Sequence, residues 1–263
     1  MSVSPKNPVT TELIKELRDQ TGISIMQCKR ALVEAEGDMK KALAILKKTS
    51  SDIALKKADR IALDGRVTIK NNKEKSVLVS LHCETDFVSK NEDFINLLEE
   101  LGEQALSEGI EKMKSEAKDM INSVIQKTGE KIELGEAYEV EGRVLGNYVH
   151  NNKIGVIVSL EGGSEELAKD VAMHITAMKP EYISSDDIKE EKKKMMFEVY
   201  QKEIEKVEKP EEIKKKILDG KIATYFKEKT LLEQPFIKNG DETIRMLLLK
   251  NKAKIKEVKR YSI

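Results

Sequence analysis

Asp64-Gly65-Arg66-Val67, Asn71-Asn72-Lys73 and Val77-Leu78-Val79-Ser80-Leu81 follow one another in the first half of the chain. The same pieces return as Glu141-Gly142-Arg143-Val144, Asn151-Asn152-Lys153 and Val156-Ile157-Val158-Ser159-Leu160. In the first copy Val77, Val79, Leu81 and Cys83 fall on one face of a strand, and Leu78, Ser80 and His82 on the other. Asn71-Asn72 marks a turn into that strand, so each copy starts as an antiparallel hairpin. Phe94, Leu97, Leu98 and Leu101 then have helical spacing, and 111–128 reads as a further helix. Ile154, Val156, Val158 and Leu160 repeat the strand; Leu167, Val171, Ile175 and Met178 repeat the helix. The class is α+β, built on two matching antiparallel-sheet-plus-helix units.

The copies differ after the strand. The first has Cys83-Glu84-Thr85-Asp86-Phe87-Val88-Ser89-Lys90-Asn91, the second only Glu161-Gly162-Gly163-Ser164. A segment found in one of two matching frames is not required by the frame. It has two readings. Thr85 or Asp86 caps a helix start, with Phe87 or Val88 turned onto the core. Alternatively, the segment is a protruding tip carrying a carboxylate beside an apolar wedge, a composition typical of interface hot spots.

Outward from the repeat, 8–48 reads as three short helices. Thr10 caps the first, with Val9 and Ile14 as a staple and Leu13 and Leu17 on its buried face. Gly22 stops it. Ser24 and Gln27 form a capping box for the second helix, whose face continues through Cys28, Leu32 and Ala35 to Gly37. Asp38 caps the third, carrying Met39, Leu43 and Leu46. The Lys/Ser/Ala-rich stretch 49–62 reads as a linker with some helical character. The repeated units occupy 63–140 and 141–184, the second completed by 230–263. Between its two parts, 185–229 reads as two charged helices meeting at Glu208-Lys209-Pro210, with Pro210 in the first position of the second helix. Met196, Val199, Tyr200, Ile204 and Val207 face Ile213, Ile217, Ile222 and Tyr225 across a narrow coiled-coil seam, which could also pair with a second copy or a partner.

Composition excludes several classes. Of 263 residues, 47 are basic and 47 acidic, so no net basic field serves nucleic acid. Charged residues make up 36%, above the roughly 25% of an average domain, which predicts exposed helices laced with ion pairs. Two cysteines do not make a disulfide framework, and no apolar run is long enough for a membrane span. A soluble, cytoplasmic protein is expected. No phosphate-cradling glycine motif occurs, and His82, His150 and His174 have no paired ligand spacing, so neither cofactor nor metal is expected. His82 and Cys83 point to opposite faces and cannot form a dyad. His174, inside a helix, reads as structural, whereas His150 sits in the second unit's turn.

Longer motifs then align in order. Glu16-Leu17-Arg18, Thr21-Gly22, Met26-Gln27-Cys28-Lys29 and Ala31-Leu32 to Gly37-Asp38 come first. Glu84-Thr85-Asp86-Phe87-Val88 with Lys90 follows. Ala172-Met173-His174, Lys179-Pro180-Glu181 and Gln234-Pro235-Phe236 complete the set. With these the chain resembles the elongation factor Ts family, guanine-nucleotide exchange factors of elongation factor Tu, over nearly its whole length. The resemblance implies a ubiquitin-associated-like N-terminal module and a non-covalent exchange factor rather than an enzyme. It implies that Thr85, Asp86, Phe87 and Val88 dislodge Mg²⁺ from elongation factor Tu bound to GDP. It further implies that Leu17, Ile25 and Met26 dock the N-terminal module and that His150 contacts a distant domain of the partner. Ile25-Met26 replaces the two methionines of many members, preserving an apolar contact. A C-terminal module of some relatives has no counterpart after Arg260, so its contacts are not carried over. Two rivals make different predictions. A helical adaptor would not need Thr85–Val88, and a small enzyme using Asp86 or Glu84 as general base would turn over a substrate without a GTPase.

Overall fold

The computed structural model describes residues 8–205 and 208–263. Three helices, α1 (Thr11–Thr21), α2 (Ile25–Glu34) and α3 (Met39–Lys57), open the fold. Each starts on a side-chain cap: Thr10, Ser24 and Asp38 accept hydrogen bonds from the backbone N–H of Leu13, Gln27 and Lys41. Gly22 closes α1 in the left-handed conformation. Leu17, Ile23, Cys28, Leu32, Ala42 and Leu46 form the shared core. Leu43, expected on that face, is exposed, and Ala42 takes its place.

The stretch 49–62 departs from a linker: α3 continues unbroken to Lys57. Ile53 and Ala54 supply the reason, packing onto the core of the next unit instead of facing water. That unit comprises β1 (Asp64–Asn71), β2 (Lys75–Cys83), the single turn α4 (Asp86–Ser89), α5 (Glu92–Glu108), α6 (Ile110–Thr128) and β3 (Ile132–Glu141). Its sheet has the order β1-β2-β3, antiparallel throughout. Asn72 makes the hairpin turn, its Oδ1 accepting the N–H groups of Glu74 and Lys75 at 2.9 Å each. Val77, Val79, Leu81 and Cys83 meet Phe94, Leu97, Leu98 and Leu101 of α5 in one core.

The second unit runs β4 (Val144–His150), β5 (Ile154–Glu161), α7 (Glu165–Met178), α8 (Glu190–Glu205), α9 (Glu211–Lys229), β6 (Pro235–Phe236), β7 (Asn239–Thr243), α10 (Ile244–Lys250) and β8 (Lys254–Ser262). Its main sheet, β4-β5-β8, is again antiparallel. Val156, Val158 and Leu160 pack on Leu167, Val171 and Ile175. Met178 is exposed instead, because it is the last residue of α7. Gly146 lets α7 lie directly on β4: a Cβ there would collide with the backbone of Ala168 and Lys169.

The sheets stack by their remaining faces around Leu78, Val140 and Ile157. His82 Nε2 and Tyr261 Oη join across this interface at 2.8 Å. Cys83 points the other way into the helical core, where burial pushes its thiol pKa up to about 12. The pair therefore has neither shared geometry nor an available thiolate.

His174 is fully buried. Its Nδ1 accepts the N–H of Ile237 at 3.2 Å, so Nε2 carries the proton and donates to Gln234 Oε1 at 2.9 Å. Burial lowers its pKa from the ordinary 6.5, partly opposed by the Gln234 bond. The unfolded chain thus takes up the proton first as pH falls through about 6.5, and stability present above that value is lost below it. Urea melts at pH 7.5 and 5.5 are expected to show lower stability at 5.5, with a smaller difference in His174→Gln.

α8 and α9 form a hairpin closed by Ile204 and Leu218, with Met196, Tyr200, Ile217, Ile222 and Tyr225 half-buried along it. Tyr200 and Tyr225 meet edge-on at 6.1 Å. Val199 and Ile213 face outward, away from the seam to which their spacing assigned them, and Leu218 takes the inner position. Val207 lies outside the described residues. Pro210 caps α9 from just before its first residue. Packing within the hairpin thus buries part of the seam, while Phe197, Val199 and Ile213 lie exposed on its outer side. Among the described residues no helix is long and apolar enough to cross a membrane.

Candidate functional site

The ladder between β2 and β3 ends at the pair Cys83–Ile132. Two carboxylates extend the connection beyond it. Glu84 Oε1 accepts the N–H of Lys131 at 2.6 Å. In the other direction Glu130 takes the N–H of Thr85 at 3.0 Å and its hydroxyl proton at 2.7 Å. Thr85 Oγ1 keeps a lone pair for the N–H of Val88 at 3.4 Å, which makes it the cap of α4. Asn91 caps α5 immediately afterwards, accepting from Asp93 N at 2.9 Å. With caps at Thr85 and Asn91 only one helical turn fits between them. Ser89 Oγ donates to the carbonyl of Asp86 at 2.9 Å, tightening that turn further.

The turn sends its side chains in opposite directions. Val88 is buried in the core of the first unit and anchors the turn. Phe87 is 82% exposed. Asp86 is half-exposed, with Lys90 Nζ 2.7 Å from its Oδ2. Glu84 is committed to structure. Its carboxyl sits below the usual range because the Lys131 N–H and the Arg60 guanidinium favour its charged form over the opposing cost of burial. Arg60 Nη1 lies 3.2 and 3.1 Å from the two oxygens of Glu84. A carboxylate held this way is a weak base, which speaks against Glu84 as the general base of the enzyme alternative.

The other predicted residues lie on separate elements. Ile25 and Met26 open α2 and are about half exposed (51% and 58%), forming an accessible apolar step. Leu17 is 0% exposed at the centre of the three-helix core, so it supports that surface from within and cannot touch a partner. Val88 is likewise buried, while Asp86 and Phe87 are exposed. His150 is exposed at the end of β4, between Tyr148 Oη and Asn151 Nδ2 at 3.3 Å each. It borders a groove of about 520 Å³ lined also by Tyr148, Ile154, Met173, Lys179 and Ile237.

The turn after His150 connects to β1. Asn152 O accepts the N–H of Val67 at 2.9 Å, and Lys153 Nζ lies 2.6 Å from Asp64 Oδ1. The Asp64 carboxyl is lowered despite its burial, by hydrogen bonds from Lys153 and from Gly65 N–H. Glu130 and Arg60 had no role in the sequence reading. The one signal for Glu130 is its place directly after Gly129, the left-handed stop of α6.

A sequence profile of the family described as Elongation factor TS matches residues 84–263, starting at the residue that opens the exposed loop. Over 262 residues the chain is 38% identical to Elongation factor Ts of Hahella chejuensis, covering 97% of this chain and 92% of the relative. It is also 38% identical over 262 residues to Elongation factor Ts of Cellvibrio japonicus, covering 97% and 90%. The chain belongs to the elongation factor Ts family. Its work is therefore in translation elongation, a stage of protein biosynthesis. As a member of the elongation factor Ts family, the chain has its most exposed aromatic side chain on a turn that two caps and two carboxylates hold in place.

Proposed function

We propose that this elongation factor Ts family member binds elongation factor Tu in its GDP-bound form and speeds GDP release by displacing the partner's Mg²⁺. The observation that carries the reading is Phe87, a large apolar side chain left in water on a capped turn beside Asp86. In the partner, nucleotide phosphates are held by a phosphate loop and a bridging Mg²⁺. Phe87 wedges between packed elements next to that ion, and Asp86 holds the displaced arrangement. Loss of the ion removes charge compensation from the β-phosphate, and GDP dissociates. Exchange factor and nucleotide weaken each other's binding by the same factor, so incoming GTP releases the exchange factor without covalent chemistry.

Ile25 and Met26 dock the three-helix unit, read as the family's ubiquitin-associated-like module, on the partner's nucleotide domain. His150 and its groove reach a distant domain. Simultaneous engagement raises affinity through effective concentration. In this reading the chain divides into a three-helix module that ends with α3 at Lys57, 63–140, 141–184 with 230–263, and the coiled-coil hairpin 185–229, and it works in the cytoplasm. The hairpin's outer face offers a homodimer contact.

The test is release of a fluorescent GDP analogue from elongation factor Tu. Strong acceleration by the purified protein is expected. No acceleration by folded protein sinks the proposal and leaves a helical adaptor, which needs no Phe87, as the better account.

A further inference from the structure

Phe87 makes almost no packing contacts of its own, so the backbone of α4 alone sets its direction. A four-residue turn cannot hold itself, because a first helical turn is unfavourable without outside support. On the exchange reading given above, we propose that Glu130 is a positioning residue, whose carboxylate clamps Thr85 so that Phe87 is aimed before the partner arrives.

Three observations carry this. Glu130 takes both donors of Thr85, at 3.0 and 2.7 Å, and charge-assisted bonds to two atoms of one residue fix orientation as well as distance. Glu130 is itself fixed. Gly129 stops α6 with a left-handed backbone, the carbonyl of Gly129 accepts Lys57 Nζ, and Thr128 Oγ1 accepts the N–H of Glu130 at 3.4 Å. The neighbouring carboxylate works in reverse, Glu84 holding Lys131 while Lys131 Nζ donates to Arg60 O at 2.9 Å. The clamp thus ties the exposed turn to the last helix of the N-terminal three. Finally, the second unit completes the same hairpin without such a clamp: Ser164 caps α7 directly after Gly162-Gly163. The frame does not need the clamp; only the extra turn does.

The test compares Glu130→Gln and Glu130→Ala with the unaltered protein. One readout is the maximal rate and half-saturating concentration of GDP-analogue release from elongation factor Tu. The second is amide hydrogen exchange of residues 85–89 in the free protein. The alanine variant is expected to lose about tenfold in maximal rate while half-saturation stays within about twofold, since lost preorganisation lowers the rate of the complex rather than its formation. The glutamine variant, which keeps one acceptor, should fall between. Amides of the turn should exchange faster in both, at an unchanged melting temperature. Unchanged exchange of those amides overturns the clamp. So does a wild-type maximal rate in both variants, or a raised half-saturation point alone, which would make Glu130 a direct contact. Faster amide exchange beside an unaltered protein that releases no GDP would keep the clamp and sink the exchange reading. If the alanine variant fails to fold, the isosteric glutamine variant decides by the same readouts.

Discussion

Phe87→Ala is expected to reduce the maximal rate of GDP release from elongation factor Tu by about one to two orders of magnitude, roughly the loss of a single interface hot spot. The fold should scarcely notice. At 82% exposure the ring buries little surface in the free protein, so its removal costs almost nothing in transfer free energy. Complex formation should weaken less than the rate, because Ile25, Met26 and His150 lie on other elements and remain in place. The measurement is a titration of the exchange factor against a fixed amount of partner loaded with labelled GDP, with a thermal melt of the same preparation. A variant that melts like wild type but no longer accelerates release locates function in the turn. A variant with full activity removes Phe87 from the mechanism, and one that unfolds would mean that the ring packs where the structure leaves it exposed.

Gly146→Ala should be the most damaging single methyl in the second unit, costing about 3 kcal/mol, at the upper end for overpacking. The added Cβ would meet the main chain of Ala168 and Lys169, not the tip of a flexible side chain, so no rotamer change relieves it. α7 would have to lift from β4, opening the core around Val171 and Ile175. Gly220 is the internal control. It lies inside α9 with nothing within 4 Å of an added Cβ, and Gly220→Ala should stabilise the hairpin by up to about 1 kcal/mol through helix propensity. Denaturant melts of the two variants should therefore move in opposite directions. A shift of the same sign in both would show that helix and strand do not approach as closely as Gly146 implies.

The fold was legible where one face of an element is strictly apolar. Val77, Val79, Leu81 and their repeats in β5 alternate without exception, and the sheets follow. Reading faltered where tertiary contact overrides local character. Lys/Ser/Ala composition says little about 49–62, and α3 persists there because Ile53 and Ala54 find α6 and its neighbours. Leu17 shows a different limit. Its spacing marked it as buried, which it is; only the family resemblance suggested a docking role, and burial excludes that role. The exposed turn stood out because the repeat lacks it, but sequence alone left Phe87 free to point inward. Val88 takes the inward place, since the Thr85 cap fixes the phase of the turn. Glu130 could not be singled out among 47 acidic residues, because its importance lies in standing opposite Thr85 across the end of a ladder.

The two ends of the segment holding α8 and α9 lie side by side. Tyr182 bridges Thr230, and Glu181 N and Tyr182 N both donate to Lys229 O at 2.8 and 3.1 Å. A chain that leaves and rejoins its domain at one spot adds little loop-closure cost however long the excursion. The hairpin is thus a cassette: shortening or removing it should leave the pairing of β8 with β5 intact, since the two ends already meet.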